Sequence, residues 1–173
     1  MSSSATDAAS RASDPTSAGS SSGVAYPSFV HSLPGGDLII TDSRMHTLHV
    51  LSLAGDLKRV LDDEALQFPM GVASDGDVLF VADGLGDCIH SLRLSTGAPL
   101  SSVGGLSYPH GLAVAGGTLY VADWGNHRIM TFDRDTLQPL GPIGRGPGEG
   151  EGELCYPRGV RSEEHTSELQ SRQ

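Results

Sequence analysis

Three aspartates close three similar runs in this chain: Asp42 after Ile39-Ile40-Thr41, Asp83 after Phe80-Val81-Ala82 and Asp123 after Tyr120-Val121-Ala122. Carboxylates repeated at one structural point could form a ring that holds a cation. An aspartate directly after a β-rich run has another use, accepting backbone N–H groups in an Asx-type turn that sets the register of the next strand. We assign Asp42, Asp83 and Asp123 to that structural turn. The third aspartate is followed by Trp124-Gly125-Asn126-His127-Arg128, a turn that presents an indole, an amide, an imidazole and a guanidinium, with Arg128 suited to pair with a neighbouring Asp or carbonyl. His110, between Pro109 and Gly111, could act as a metal ligand or a proton carrier. Arg145 and Arg158 complete the set of candidate binding residues. No Ser/His/Asp order and no paired-acid motif stands out, so no catalytic residue is assigned.

Three further motifs are read as structural. Gly144 to Glu153 is glycine-rich, but it lacks the GxxxxGK[ST] order and includes Glu149, Glu151 and Glu153, which would repel phosphate; it reads as a long connection between strands. Asp75-Gly76-Asp77 is a hairpin turn with too few ligands for a calcium loop. Cys88 and Cys155 are read with neither CxxC nor a Cys/His ligand spacing around them, so both are expected to be buried, reduced thiols.

Around these residues the chain repeats itself. Leu112 to Val114 alternate, Gly116-Gly117 supplies a turn, Leu119 to Val121 is β-rich, and Ile129 to Phe132 makes a third strand. The same order starts at Pro27, Pro69, Pro109 and Pro157, spaced 42, 40 and 48 residues apart, the last lengthened by the Gly/Glu loop. A repeat near 40 residues with about four strands is the pattern of a propeller blade. The expected fold is all-β, a partial β-propeller of about three four-stranded blades (27–68, 69–108, 109–156) plus the start of a fourth (157–160).

At Pro109-His110-Gly111-Leu112-Ala113-Val114, Leu119-Tyr120-Val121-Ala122-Asp123 and Gly125-Asn126-His127-Arg128-Ile129 the chain resembles the NHL repeat family. The second copy has Gly86-Asp87-Cys88-Ile89 where that pattern has Gly-Asn-His-Arg-Ile, and the first copy is weaker. The resemblance extends over residues 27–160 and implies an NHL-type β-propeller, commonly six-bladed, so that three blades and a stub are about half of one. It also implies a protein-interaction scaffold that binds a protein or peptide partner, in some members the recognition part of a ubiquitin-ligase-type protein. The alternative it implies is a metal-dependent propeller enzyme, a peptide-amidating lyase or a lactonase. In the lyases the histidine of a Pro-His-Gly-like site binds zinc, whereas the lactonases prefer Asn where His110 stands. The positions equivalent to His110 are Ser28, Met70 and Arg158, which do not complete the three protein ligands of a catalytic zinc. No cofactor is therefore expected; zinc or calcium enters only with the enzyme alternative. A second alternative, shared with other NHL propellers, is RNA binding.

Composition narrows these readings. Residues 27–160 hold eight Lys/Arg against sixteen Asp/Glu, a net of −8, while nucleic-acid binders concentrate positive charge on their footprint. Nucleic acid is disfavoured. No run of 18 apolar residues exists, so no membrane span is expected and the default is a soluble, cytoplasmic chain. Residues 1–26 form a Ser/Ala-rich segment expected to be disordered, since its nine serines between Met1 and Gly23 leave little to bury. From Arg161 the sequence RSEEHTSELQSRQ loses the strand pattern and resembles a translated sequencing-library adapter. Residues 161–173 are set aside as an artefactual tail, with further blades expected beyond Val160 in the parent protein.

Overall fold

The computed structural model describes residues 23–162. Residues 1–22 and 163–173 lie outside the described residues, and with them most of the N-terminal segment and of the adapter-like tail.

Three four-stranded antiparallel sheets follow one another, each with its strands in sequence order. The first blade holds β1 (Pro27–Ser32), β2 (Leu38–Asp42), β3 (Thr47–Leu51) and β4 (Leu57–Asp62). The second holds β5 (Pro69–Asp75), β6 (Val78–Asp83), β7 (Cys88–Arg93) and β8 (Pro99–Val103). The third holds β9 (Pro109–Ala115), β10 (Thr118–Asp123), β11 (Arg128–Asp133) and β12 (Pro139–Ile143), with a 3-10 turn at Trp124–Asn126. Among the described residues there is no α-helix, and none long and apolar enough to cross a membrane. The sequence predicts an all-β propeller fragment, and this is what forms.

The strand composition follows from what covers each face. β6 reads Val-Leu-Phe-Val-Ala-Asp without polar alternation because both of its faces are buried. Leu79 and Val81 pack with Ile39, Leu48, Val50 and Leu61 of the first blade. Phe80 and Ala82 point the other way, into a core shared with Leu112, Leu119, Val121 and Phe132 of the third. Two cores therefore lie between blades, and the middle blade supplies one wall of each.

The inner strands approach so closely that glycine is required where they meet. A Cβ on Gly71 would lie 2.3 Å from the His110 carbonyl oxygen, and one on Gly111 would lie 2.6 Å from that of Arg158. The Gly111 N–H donates to the Arg158 carbonyl at 2.8 Å, which seats residues 157–160 against β9 as β9 is seated against β5. At Gly159 an added Cβ would meet nothing within 4 Å among the described residues. The three glycines thus share a sequence position but not a neighbour. Gly71→Ala and Gly111→Ala are each expected to cost about 3 kcal/mol, the upper end for overpacking, because the obstructing atoms are backbone. Gly159→Ala should stay within about 0.5 kcal/mol of the parent chain. Urea unfolding of the three variants checks this, and equal losses at all three positions would contradict it.

Candidate functional surface

The recurring aspartates are fully buried, each at 0% exposure, and each fastens the chain that leads into its own inner strand. Asp42 accepts the N–H groups of Ala25 (2.7 Å) and Tyr26 (3.1 Å) as well as that of Met45 (3.1 Å) in the turn. Ala25 and Tyr26, counted in the sequence with the N-terminal segment 1–26, are therefore tied to the first blade. Asp83 accepts from Gln67 (2.6 Å), Phe68 (2.8 Å) and Gly86 (2.9 Å). Asp123 accepts from Ser107 (2.7 Å), then from side chains: Asn126 Nδ2 at 3.1 and 2.9 Å and Arg128 Nε at 2.7 Å. Among the described residues the three carboxylates do not form a metal-binding group with one another. Asn126 and Arg128, candidates for binding in the sequence, are drawn inward to Asp123, with Arg128 also reaching the Gly105 carbonyl at 3.4 Å.

Outward from this framework, the strand-entry ends of the second and third blades gather aromatic rings. The Tyr108 ring lies 5.7 Å from His110 and 5.8 Å from Trp124, and His110 lies 6.3 Å from Trp124. Tyr156 continues the series, 4.6 Å from Trp124 and 4.1 Å from His127. Phe68 and Phe29 border it, beside Tyr108 and His110 respectively. Of the sequence candidates, the structure brings together His110, Trp124 and His127. The alternation signal could not include Tyr108, Tyr156, Phe29 and Phe68, because they are spread over three blades. Tyr108 and Tyr156 each precede a blade-opening proline, at φ of 49° in both cases, and Tyr108 N–H is held by Asp87 Oδ1 at 2.7 Å.

Two polar atoms on this surface are buried without a partner, His110 Nδ1 and Trp124 Nε1. Burial, with the Arg158 guanidinium as the second cause, lowers the pKa of His110 and favours its neutral imidazole. No three metal-capable side chains converge on His110 among the described residues, and the nearby positive charge opposes a cation there. Arg158 is exposed beside this surface, whereas Arg145 is exposed in the Gly/Glu loop, where its N–H donates to the Gly152 carbonyl at 2.7 Å.

A cavity of about 640 Å³ lies toward the far ends of the inner strands. It is lined by stretches of all three, including Ala73, Ala113, Ala115 and Gly116, and by Val160 to Ser162. Its lining is mostly small or apolar, and it contains none of the aromatic group.

The cysteines differ from expectation. Cys155 is exposed and Cys88 only partly buried. Cys88 and His90 are two apart on β7 and so point to one side, where Cys88 Sγ lies 3.1 Å from His90 Nε2. His90 Nε2 is 3.6 Å from Asp83 Oδ2. That carboxylate and the Cys88 sulfur together raise the His90 pKa from 6.5 to about 10, so the ring is an imidazolium near neutrality. The Cys-x-His spacing was the signal available in the sequence.

Residues 106–132 match the NHL repeat family. This segment is an NHL repeat. It contains Tyr108, His110, Asp123, Trp124, His127 and Arg128, so most of the aromatic surface is built on it. No curated protein matches the sequence. Among solved structures, the chain is similar to hydrazine synthase of Kuenenia stuttgartiensis at 18% identity and a TM-score of 0.64, over 77% of this chain and 38% of that one. It is similar to a chain of a nidogen/laminin complex at 20% identity and a TM-score of 0.67, over 81% and 53%. Virginiamycin B lyase from Staphylococcus aureus aligns at 17% identity and a TM-score of 0.62, over 79% and 46%. The likeness is one of fold, the β-propeller, and the chain spans about half or less of each of these proteins.

The aspartate staples have an expected pH signature. Burial raises the Asp42 pKa, but the N–H groups of Tyr26, Ala25, Met45 and Arg44 outweigh it and hold the carboxyl below its ordinary 3.8. Because the folded value is depressed, the stabilisation is complete above pH 3.8 and is lost as pH falls through the folded value. Asp42→Ala should cost about 3 kcal/mol at pH 7, since it leaves buried donors unpaired. The gap from the parent chain should narrow below about pH 4; chemical denaturation from pH 7 downward measures both.

Proposed function

We propose that this chain is the recognition part of a β-propeller protein, an NHL-type interaction scaffold whose unit spans residues 27–160 and which binds a protein or peptide segment at its aromatic surface. The observation that carries this reading is the pair of unpartnered atoms, His110 Nδ1 and Trp124 Nε1, set among the rings of Tyr108, His127 and Tyr156. Trp124 Nε1 can only donate and is buried, so it calls for an acceptor. A neutral His110 offers a donor or an acceptor beside it, and exposed Arg158 adds a positive charge. An extended segment presenting backbone carbonyls, with a carboxylate toward Arg158, meets those requirements. Large rigid rings with a polar edge are also the usual anchors of protein interfaces.

The enzyme reading has one observation in its favour, His110 within the ring group of a fold shared with a lyase. No ligand set converges on His110 among the described residues, and Arg158 works against a metal there. RNA binding is opposed by the net charge of −8 over residues 27–160. A role in a ubiquitin-ligase-type protein fits the scaffold reading and depends on the parent protein's other domains.

Trp124 is the single tryptophan of the chain, so its fluorescence reports binding directly. Peptides selected by phage display against the full chain should change that emission. In anisotropy titrations with labelled peptide, Trp124→Ala and Tyr156→Ala should each weaken binding about 30-fold, the effect of a hot-spot residue. Selected peptides that bind both variants as tightly as the parent would place recognition elsewhere. Peptide cleavage or elimination that depends on added zinc and on His110 would favour the enzyme reading.

A further inference from the structure

In each blade one turn position and two third-strand positions follow the buried aspartate at the same sequence offsets of three, five and seven residues. In the third blade these are Asn126, Arg128 and Met130, and the first two donate to Asp123. In the first blade they are Met45, Thr47 and His49, with Thr47 Oγ1 3.0 Å from His49 Nε2. In the second blade they are Gly86, Cys88 and His90. The middle blade therefore lacks both side chains that satisfy the carboxylate in the third, and has a thiol and an imidazole at the two strand positions.

We infer that Asp83, Cys88 and His90 form a zinc site that is independent of the aromatic surface. Asp83 Oδ2, Cys88 Sγ and His90 Nε2 all lie within 4.8 Å of one another. A tetrahedral zinc with ordinary bond lengths needs about 3.5 Å between the sulfur and nitrogen ligands and about 3.3 Å between nitrogen and oxygen. The observed separations of 3.1 and 3.6 Å differ from these by a few tenths of an ångström. With the protons of the His90 imidazolium and the Cys88 thiol displaced on binding, the donor set of thiolate, imidazole and carboxylate suits zinc rather than calcium or magnesium. Gln67, Phe68 and Gly86 N–H groups already orient the carboxylate, with Oδ2 accepting only one of them, so its remaining lone pair is available. A Cβ at Gly86 would stand 2.9 Å from Asp83 Cγ and 3.1 Å from both Oδ2 and Sγ, so glycine is what lets the carboxylate and the sulfur come together under this turn. The simpler role for the same residues is that His90 replaces Arg128 as counter-charge to the aspartate, and the experiment separates the two.

The full chain, kept reduced, is titrated with Co²⁺ and then with competing Zn²⁺. A single ion should bind with a thiolate-to-cobalt charge-transfer absorption and be displaced by Zn²⁺. Cys88→Ser should abolish that absorption, and His90→Gln should weaken binding at least about tenfold. Cys155→Ser should leave both unchanged. Zn²⁺ should raise the thermal midpoint of the parent chain and of Cys155→Ser but not of Cys88→Ser, a comparison made only with Cys88→Ser shown to be folded by circular dichroism. If Cys88→Ser does not fold, Gly86→Ala, whose Cβ would displace the Asp83 carboxylate and the Cys88 sulfur, replaces it and should weaken Co²⁺ binding. Absence of the charge-transfer absorption in the parent chain, or its dependence on Cys155 instead of Cys88, would overturn the assignment.

Discussion

A buried carboxylate at the end of each blade's second strand is the constraint on which the rest of the molecule depends. A charge with no solvent contact is tolerable only when its oxygens are filled with donors. Here the donors are backbone N–H groups from residues 15 to 17 positions earlier, together with groups of the adjoining turn. Each aspartate thereby fixes the path by which the chain enters its own inner strand. The inner strands must enter at a defined height because Gly71 and Gly111 leave only van der Waals space for the next blade's backbone. A shift of one residue would turn every inner-strand side chain to the opposite face and bring a Cβ into the gap.

The blade repeat was legible because its signals are local. Proline at the opening, alternation in Leu112 to Val114, and Asp after the second strand recur at nearly constant spacing. The burial of β6 on both faces was legible too, since Val78 to Ala82 is an unbroken apolar run. What could not be read was anything assembled from distant parts of the chain. Tyr156 meets Trp124 and His127 across about 30 residues of intervening chain, most of it the Gly/Glu connection and β12, and no periodicity marks that pairing. The assignment of Asp42, Asp83 and Asp123 to a turn describes one part of their bonding; their longer reach depends on where the preceding segment lies in three dimensions. Asn126 counted as a candidate binding group, yet Asp123 claims it, whereas the pairing of Arg128 with a neighbouring Asp and a carbonyl is what the sequence reading described. The pairing of Cys88 with His90 was missed, although Cys88-Ile89-His90 is a spacing that places both on one side of a strand.

The same three-position cluster therefore has different consequences in neighbouring blades. In the third blade Asn126 and Arg128 complete the shell of Asp123, and the half-buried rings of Trp124 and His127 are left to join the aromatic group. In the second blade the turn holds Gly84, Leu85 and Gly86 and contributes no ring to the surface, while the interior of its cluster holds the polar groups that are chemically versatile. Structural and surface roles are divided differently over one backbone frame.

That division bears on why the aromatic surface sits where it does. The rings come from residues flanking the points at which each blade is stapled, so their backbones are among the best fixed in the chain. Asp87 holds the Tyr108 amide, Asp123 holds Ser107, and the Gly125 N–H donates to the Ser107 carbonyl at 2.8 Å. Side chains on such a base lose little further freedom when a partner arrives, so more of their contact energy is available for affinity. The buried aspartates thus support a recognition surface indirectly: they touch none of its rings, but they set the positions from which the rings project.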